Sequence, residues 1–261
     1  MKKFVVLSYP RTGSTLLVKS LNNIVDIVCH SEIFHNNFDA FSRAFLDRQI
    51  INRRLSKPGL SFLLNEKRVL TKLFKLKNNQ PQQFLDEIYR CKAIATGFKL
   101  FPGQKDEQLS KLLDSKDVHK IVLERTNRLR SYISEQISLK TNKWDLYRGE
   151  KPVRVQVTVD LYDFFRYKKK IDEYIGKTED QLRITNQRYL KLTYDKILDS
   201  FPYEEIFELL AIPDKPVKTY DVNQKKQNPY SLKELIKNYD EVETELHKNG
   251  LEHFLKMNDF D

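Results

Sequence analysis

Cysteine is scarce in this sequence, with only two in 261 residues. Cys29 and Cys91 lie far apart, so they predict neither a disulfide framework nor a Cys-x-x-Cys redox or metal motif. The five histidines show no metal-site spacing either. The chain therefore fits a reducing compartment, and we expect it to work without a metal.

Long apolar runs are also missing. No stretch approaches the roughly 20 apolar residues that a membrane-spanning helix needs. The start, Met1-Lys2-Lys3 followed by apolar residues, looks briefly like a signal peptide. Its apolar run of about five residues falls short of the 7–15 of a signal-peptide core, and Pro10-Arg11 ends it. We therefore expect a cytoplasmic protein without a membrane span.

Acidic residues are outnumbered, because 46 lysines and arginines stand against 36 aspartates and glutamates, a formal net charge of +10. Such a balance favours an anionic partner: nucleic acid, an acidic membrane or a multiply charged cofactor. The length fits a single domain over 1–261 with a sizeable core. The apolar content of 40% argues against wholesale disorder.

One short loop carries the strongest functional signal. Residues 4–7 predict a buried strand, and the apolar spacing of 16–21 predicts a helix. At such a junction the first helical amides lack intrahelical partners and the helix dipole adds positive charge, which favours a bound phosphate or sulfate. The residues that we expect to bind this oxyanion are Arg11, Thr12, Gly13, Ser14 and Thr15.

The loop does not match the nucleotide motif GxxxxGK[ST]. No glycine stands five residues before Gly13, and Arg11 precedes that glycine where the motif has a lysine after it. A simpler interpretation is a capped helix after a strand, with Ser14 or Thr15 as the N-cap.

Strands and helices alternate along the chain. We predict strands at 3–8, 25–29, 95–100, 119–124 and 188–193. We predict helices at 15–23, 39–49, 81–91, 105–114, 127–141, 158–176, 202–210 and 231–247. This order predicts a three-layer α/β fold with a mainly parallel central sheet and a P-loop-like phosphate site. Residues 50–80 interrupt the alternation and predict an inserted loop or helical excursion over the active face.

A second candidate anion site follows the strand at 119–124. Arg125 stands at the carboxyl end of that strand, where ligands of parallel sheets bind. Ser134 lies two turns into the next helix, which we expect to reach Trp144. Arg125 and Ser134 together are candidates for holding a second phosphate. The alternative is a solvated helix terminus whose arginines serve solubility.

These motifs together resemble the sulfotransferases that use 3′-phosphoadenosine 5′-phosphosulfate (PAPS). Residues 9–17 resemble the 5′-phosphosulfate loop of these enzymes, and Arg125 with Ser134 resembles their 3′-phosphate pair. The segments 29–34, 97–101 and 123–144 are most similar to bacterial members of the carbohydrate and glycolipid type. The resemblance runs in family order from residue 4 to about 228. It implies PAPS as donor, 3′,5′-bisphosphoadenosine (PAP) as product, and no metal.

The resemblance also implies roles for individual residues. Glu32 matches the general base, with His30 and His35 as alternatives. Arg11 would neutralise the leaving group, and Lys99 would be a second cation between donor and acceptor. Tyr194 matches a tyrosine beside the adenine. The late basic loop that closes over the 3′-phosphate corresponds to Lys225, Lys226 and Gln227.

Three positions depart from the usual pattern of that family. Arg11 stands where many members have lysine, and Pro102 follows the Lys99 strand where many have a catalytic histidine. The late loop reads Lys-Lys-Gln rather than Arg-Lys-Gly. Because that histidine is missing, the general base must come from elsewhere in this chain.

Two other functions compete with sulfuryl transfer. A small-molecule kinase would normally carry GxxxxGK[ST] and an acidic magnesium ligand at a strand end. A nucleic-acid-binding protein would fit the net charge, but the arginines collect at predicted strand ends rather than along one stripe. We expect a small-molecule or glycan acceptor and no nucleic-acid partner.

Overall fold

A computed structural model describes residues 1–44, 66–90, 93–146, 150–152, 154–214 and 229–256. Its strands are β1 (Lys2–Ser8), β2 (Ile27–His30), β3 (Ala95–Leu100), β4 (Val118–Glu124) and β5 (Tyr189–Thr193). They form one all-parallel sheet in the order β2-β3-β1-β4-β5. The predicted α/β class and parallel sheet are thereby confirmed.

The helices are α1 (Ser14–Asn23), α2 (Phe38–Arg43), α3 (Glu66–Asn79), α4 (Pro81–Tyr89), α5 (Asp106–Asp114), α6 (Arg128–Thr141), α7 (Leu161–Ile184), α8 (Tyr194–Asp199), α9 (Tyr203–Leu210), α10 (Leu232–Leu235) and α11 (Tyr239–Lys248). A 3₁₀ helix at Glu252–Leu255 follows them. None of the described helices is long and apolar enough to cross a membrane.

Apolar side chains cover both faces of the sheet. Because successive residues of a strand point to opposite faces, Val5 and Leu7 join one core while Phe4 and Val6 join the other. The first core includes residues from α2 to α7, α10 and α11, whereas the second includes residues from α1, α8 and α9. The result is helix, sheet and helix in three layers, as predicted.

The sheet order creates a crevice at its carboxyl edge. The chain leaves β1 toward β2 on one side, while it leaves β4 toward β5 on the other. Neighbouring strands whose connections diverge leave room between them, and ligands of such sheets bind there. The loop at 9–13 and Arg125 follow these two strands, so the topology brings both candidate anion sites to one place.

Several predicted boundaries were wrong. The helix after β4 ends at Thr141 and does not reach Trp144, whereas α7 continues to Ile184 rather than 176. The predicted helix at 231–247 is two helices, α10 and α11. Ile236 forms a parallel bridge with Val157, and the Asn238 side chain bonds the Val159 backbone, so the chain is extended between them.

The predicted insertion at 50–80 lies only partly within the described residues. Its described part contains α3, and the insertion over the active face stays a prediction. Strand propensity and helix periodicity gave no sign of α8, a short helix directly after β5.

Candidate active site

The loop after β1 holds an uncommon backbone shape. Gly13, at the N-terminus of α1, has φ 85° in the left-handed region. A Cβ atom there would lie 2.3 Å from Cδ2 of Tyr194, so only glycine admits the tyrosine ring at this distance. Thr12 Oγ1 donates to the Tyr9 carbonyl at 2.7 Å and closes the turn. No side chain caps α1, so the capping interpretation of Ser14 and Thr15 was wrong.

This loop lines a pocket of about 160 Å³ together with α6 and α8. The pocket joins cationic and hydroxyl groups on one side to apolar groups on the other. Its lining residues are Arg11, Gly13, Ser14, Thr15, Leu16, Arg125, Arg130, Ile133, Ser134, Trp144, Asp145, Leu146, Tyr194, Leu198, Leu232 and Leu235. The structure therefore brings together the two anion sites that the sequence placed 110 or more residues apart.

Arg11 is held in place across the pocket. Its Nε donates to Ser134 Oγ at 3.0 Å, and one terminal nitrogen donates to the Trp144 carbonyl at 2.5 Å. Burial lowers the pKa of the Arg11 guanidinium, and the positive charge of Arg125 lowers it further, whereas Asp145 opposes the shift. An arginine keeps its proton in proteins all the same. The pocket thus contains a fixed positive charge with little water around it.

Arg125 and Tyr194 form a stack against the loop. The Arg125 guanidinium carbon lies 4.5 Å from the centre of the Tyr194 ring, a cation–π contact. The same ring packs on Gly13 from α8, whose N-cap Thr193 accepts a bond from the Lys196 amide. Two residues that the sequence named separately therefore share one wall of the pocket.

Lys99 connects the loop to Glu32. Its side chain, only 3% exposed, extends from β3 beneath the start of α1. Lys99 Nζ donates to Thr15 Oγ1 at 3.2 Å and to Ser14 Oγ at 3.5 Å, and it lies 3.1 Å from Glu32 Oε1. The Glu32 side chain is 25% exposed, so solvent or an acceptor reaches it.

The two histidine alternatives occupy different environments. His30 is fully buried in β2, whereas the His35 Nδ1 accepts a bond from the Asn37 amide at 3.0 Å. Glu32, by contrast, is partly open and contacts Lys99. This geometry favours Glu32 among the three candidates for the general base.

Sequence reasoning did not include two residues that the structure places at the site. Arg130 is buried, lines the pocket and donates to the Tyr230 carbonyl at 3.0 Å. The sequence signal that could have identified Arg130 was its place in the first turn of the helix after β4. Gln104 donates to Glu32 Oε2 at 2.8 Å, and no sequence pattern marks it out.

Other predicted features cannot be placed. Lys225, Lys226 and Gln227 lie outside the described residues.

Within the described segments, no group of three or more histidine, cysteine, aspartate or glutamate side chains is arranged to hold a metal ion. Arginine and lysine side chains, hydroxyls and helical amides are instead the donor set that suits a nucleotide with two phosphate groups.

No protein-family model matches this sequence, and the curated proteins gave no match. Among solved structures, the chain is similar to the crystal structure of a sulfotransferase from Alicyclobacillus acidocaldarius. The two are 12% identical over 98% of this chain and 96% of that chain, with a TM-score of 0.48. A likeness at this level does not assign an activity, which must be argued from the residues of the pocket.

Proposed function

We propose that this chain is a PAPS-dependent sulfotransferase that acts on an acceptor hydroxyl, or an amine, through a carboxylate general base. The observation that carries the proposal is the position of Lys99. It contacts the hydroxyls of the oxyanion loop and the Glu32 carboxylate at the same time. A transferase needs such an arrangement, in which donor site and base flank one cation.

The residues of the pocket fit this donor. The α1 amides, Arg11, Ser14 and Thr15 would hold the 5′-phosphosulfate. Arg125 and Ser134 would hold the 3′-phosphate, with Tyr194 beside the adenine and Arg130 as additional positive charge. When bound, PAPS supplies an activated sulfuryl group. The Tyr194 ring packed on Gly13 and the three arginines of one pocket support this assignment.

The side chains then divide the chemistry between them. Glu32 accepts the proton of the acceptor hydroxyl as that oxygen becomes the nucleophile. Arg11 and Lys99 stabilise the negative charge that accumulates on the departing phosphate side. These cations are already fixed by their contacts, so little reorganisation is needed when charge develops.

The acceptor that we propose is a carbohydrate or glycolipid hydroxyl. The support is the sequence resemblance at 29–34 and 97–101, which is strongest to bacterial enzymes of that type. Of the described residues, 33–44 and 66–80 would shape its pocket together with 140–146 and 154–160. Any small molecule or glycan whose hydroxyl or amine reaches Glu32 satisfies the same chemistry.

Two measurements test the proposal. Purified protein is incubated with ³⁵S-labelled PAPS and a panel of sugars, glycolipids and phenols, and label in the separated products is followed by scintillation counting. In parallel, thermal melting is recorded with PAP, AMP or ATP, each with magnesium or with EDTA. We expect PAP to raise the melting temperature in EDTA, because a ligand that binds the native state stabilises that state. AMP should raise the melting temperature less, because it lacks the 3′-phosphate.

The alternative functions give different results. Stabilisation by ATP that requires magnesium, with no label transferred from PAPS, would indicate a kinase. Equal stabilisation by PAP and AMP would contradict a 3′-phosphate site at Arg125 and Ser134.

A further inference from the structure

We propose that Gln104 is a positioning residue that fixes the Glu32 carboxylate in the orientation in which it meets the acceptor. The proposal rests on the proposed function, since Glu32 is the base only there. Gln104 lies in the loop between β3 and α5, and its Nε2 donates to Glu32 Oε2 at 2.8 Å.

The direction of the Gln104 amide is fixed by a second bond. The Phe101 backbone amide donates to Gln104 Oε1 at 3.2 Å. Since a backbone N–H only donates, Oε1 must be the carbonyl oxygen, and the NH₂ group must face Glu32. A flipped side chain would lose both bonds.

Glu32 consequently receives a donor on each oxygen. Lys99 Nζ lies 3.1 Å from Oε1 and Gln104 Nε2 lies 2.8 Å from Oε2. Both donors stabilise the charged carboxylate, which is the form that accepts a proton. Each oxygen has a second lone pair, so the carboxylate can still take the acceptor's proton.

The two donors come from different elements. Lys99 belongs to β3 and is the charged group facing Glu32 from the sheet, whereas Gln104 comes from the following loop. On its own segment Glu32 is flanked by His30 and His35. Contacts from two directions fix the carboxylate more tightly than Lys99 alone would, and base catalysis depends on such geometry.

Gln104 also has a structural role that the test must separate. Its backbone amide donates to the Phe101 carbonyl at 3.4 Å and its side chain accepts from the Phe101 amide at 3.2 Å, so the residue closes a turn. Gln104→Glu separates the two roles. The new carboxylate still accepts the Phe101 N–H but no longer donates to Glu32.

The experiment compares wild type, Gln104→Glu and the control Gln181→Glu. Gln181 Nε2 donates to Asp114 Oδ1 at 2.7 Å on the surface, so the control makes the same change beside a carboxylate away from the pocket. The readouts are kcat against pH with PAPS and the best acceptor of the panel, and ¹³C NMR of the labelled glutamate carboxyls against pH. Glu32→Gln identifies the Glu32 signal.

For Gln104→Glu we expect kcat to fall by about 10–100-fold while the KM for PAPS stays within a few-fold. Two carboxylates in contact share a proton, so the pH profile of kcat and the ¹³C signal of Glu32 should both differ from those of wild type. In the Glu32→Gln background, Gln104→Glu should reduce kcat little further, because the two residues act as one unit. Gln181→Glu should match wild type.

The outcomes distinguish the two levels of the argument. If the wild type transfers no label, the proposed function fails, and the ¹³C signal of Glu32 in wild type and Gln104→Glu alone decides whether Gln104 positions that carboxylate. If the wild type is active and Gln104→Glu equals it in kcat, pH profile and Glu32 ¹³C signal, Gln104 only closes the turn. That result overturns the inference and leaves the function standing.

Discussion

Glu32 is the side chain on which the reaction should depend most. Glu32→Gln keeps the shape of the residue but removes its ability to accept a proton. We expect kcat to fall by about 10²–10⁴-fold, the usual cost of losing a general base. PAP affinity should be retained, since Glu32 does not line the nucleotide pocket. Turnover at several pH values and PAP calorimetry check this.

Glu107→Gln is the matched control for that change. Glu107 pairs with Lys111 on the surface. Glu107→Gln therefore removes an ion pair, as Glu32→Gln does, but away from the site. Turnover of Glu32→Gln within a few-fold of this control, with the acidic limb unchanged, would move the base to His30 or His35.

Arg11 should matter more to turnover than to binding. Its guanidinium is fixed by Ser134 and the Trp144 carbonyl, at the end of the loop that faces the leaving group in the proposed mechanism. Removing a fixed cation of this kind costs about 10²–10³-fold in kcat. Arg11→Ala should show that loss at saturating PAPS, whereas Arg125→Ala should mainly weaken PAP binding. Equal effects of both variants on affinity alone would remove the leaving-group role of Arg11.

Three arginines near the start of α6 show that residue type alone does not separate an arginine that stabilises the fold from one that lines the pocket. Arg125, Arg128 and Arg130 stand within six residues, and all three are buried. Arg128 pairs with Glu124 at 2.7 Å and with Asp172 at 3.0 Å, so it stabilises the fold. Arg125 and Arg130 line the pocket instead. The partners make this difference: Glu124 lies four residues before Arg128, and Asp172 lies 44 positions after it.

At the scale of elements, the N-terminus of α6 is held by Asn127. Its side-chain oxygen accepts from the Arg130 amide at 3.0 Å, and its Nδ2 donates to the Phe254 carbonyl at 3.0 Å. The cap therefore links α6 to the 3₁₀ helix near the C-terminus. The same turn carries Arg130 into the pocket, so the cap also supports the site.

Asn127→Ala should reduce the free energy of unfolding by about 1–3 kcal/mol, from the lost cap and the unpaired Phe254 carbonyl. Asn37→Ala is the control, because Asn37 caps α2 through Asp39 and Ala40 amides on the surface. We expect a smaller loss there, of about 1 kcal/mol. Urea unfolding measures both, and equal losses would mean that the bond to Phe254 contributes nothing.

At the scale of the molecule, a buried lysine joins α3 to the segment that carries Glu32. Lys77 is 2% exposed, and its Nζ donates to the His35 carbonyl at 2.7 Å. The Phe74 ring lies 4.1 Å away, close enough for a cation–π contact. Burial lowers the pKa of Lys77 to about 8, and the charge of Lys105 contributes.

This shift makes stability depend on pH. An unfolded lysine titrates near 10.4, so between about pH 8 and 10.4 the unfolded chain binds more protons than the native one. The contribution of Lys77 therefore becomes more favourable as pH rises. From pH 7 to 10, the free energy of unfolding of wild type relative to Lys77→Met should increase by about 1–3 kcal/mol.

Urea unfolding at both pH values gives this difference, and Lys75→Met on the exposed side of α3 is the control. Because wild type and Lys77→Met share all other titrating groups, the pH dependence of their difference in stability reports on Lys77 alone. An unchanged difference between wild type and Lys77→Met would show that Lys77 titrates alike in the native and unfolded states.

The sequence by itself determined the alternation of strands and helices and the strand–loop–helix at 2–23. Both follow from local patterns: apolar runs for buried strands, helical spacing, and the glycine of the loop. It also placed Arg11 and Arg125 at strand ends, and the carboxyl ends of parallel strands share one edge. These features were enough to predict the fold class and the approach of Arg11 and Arg125 to each other.

Only the tertiary structure decided the strand order, the break between α10 and α11, and the contacts around Glu32. The break depends on the bridge between Val157 and Ile236 and on the bond from the Val159 amide to Asn238, each of which spans 79 positions. Gln104 reaches Glu32 across 72 positions, and Lys99 reaches Ser14 across 85. Such pairings are selected by packing of the whole chain, and local propensity contains no information about them.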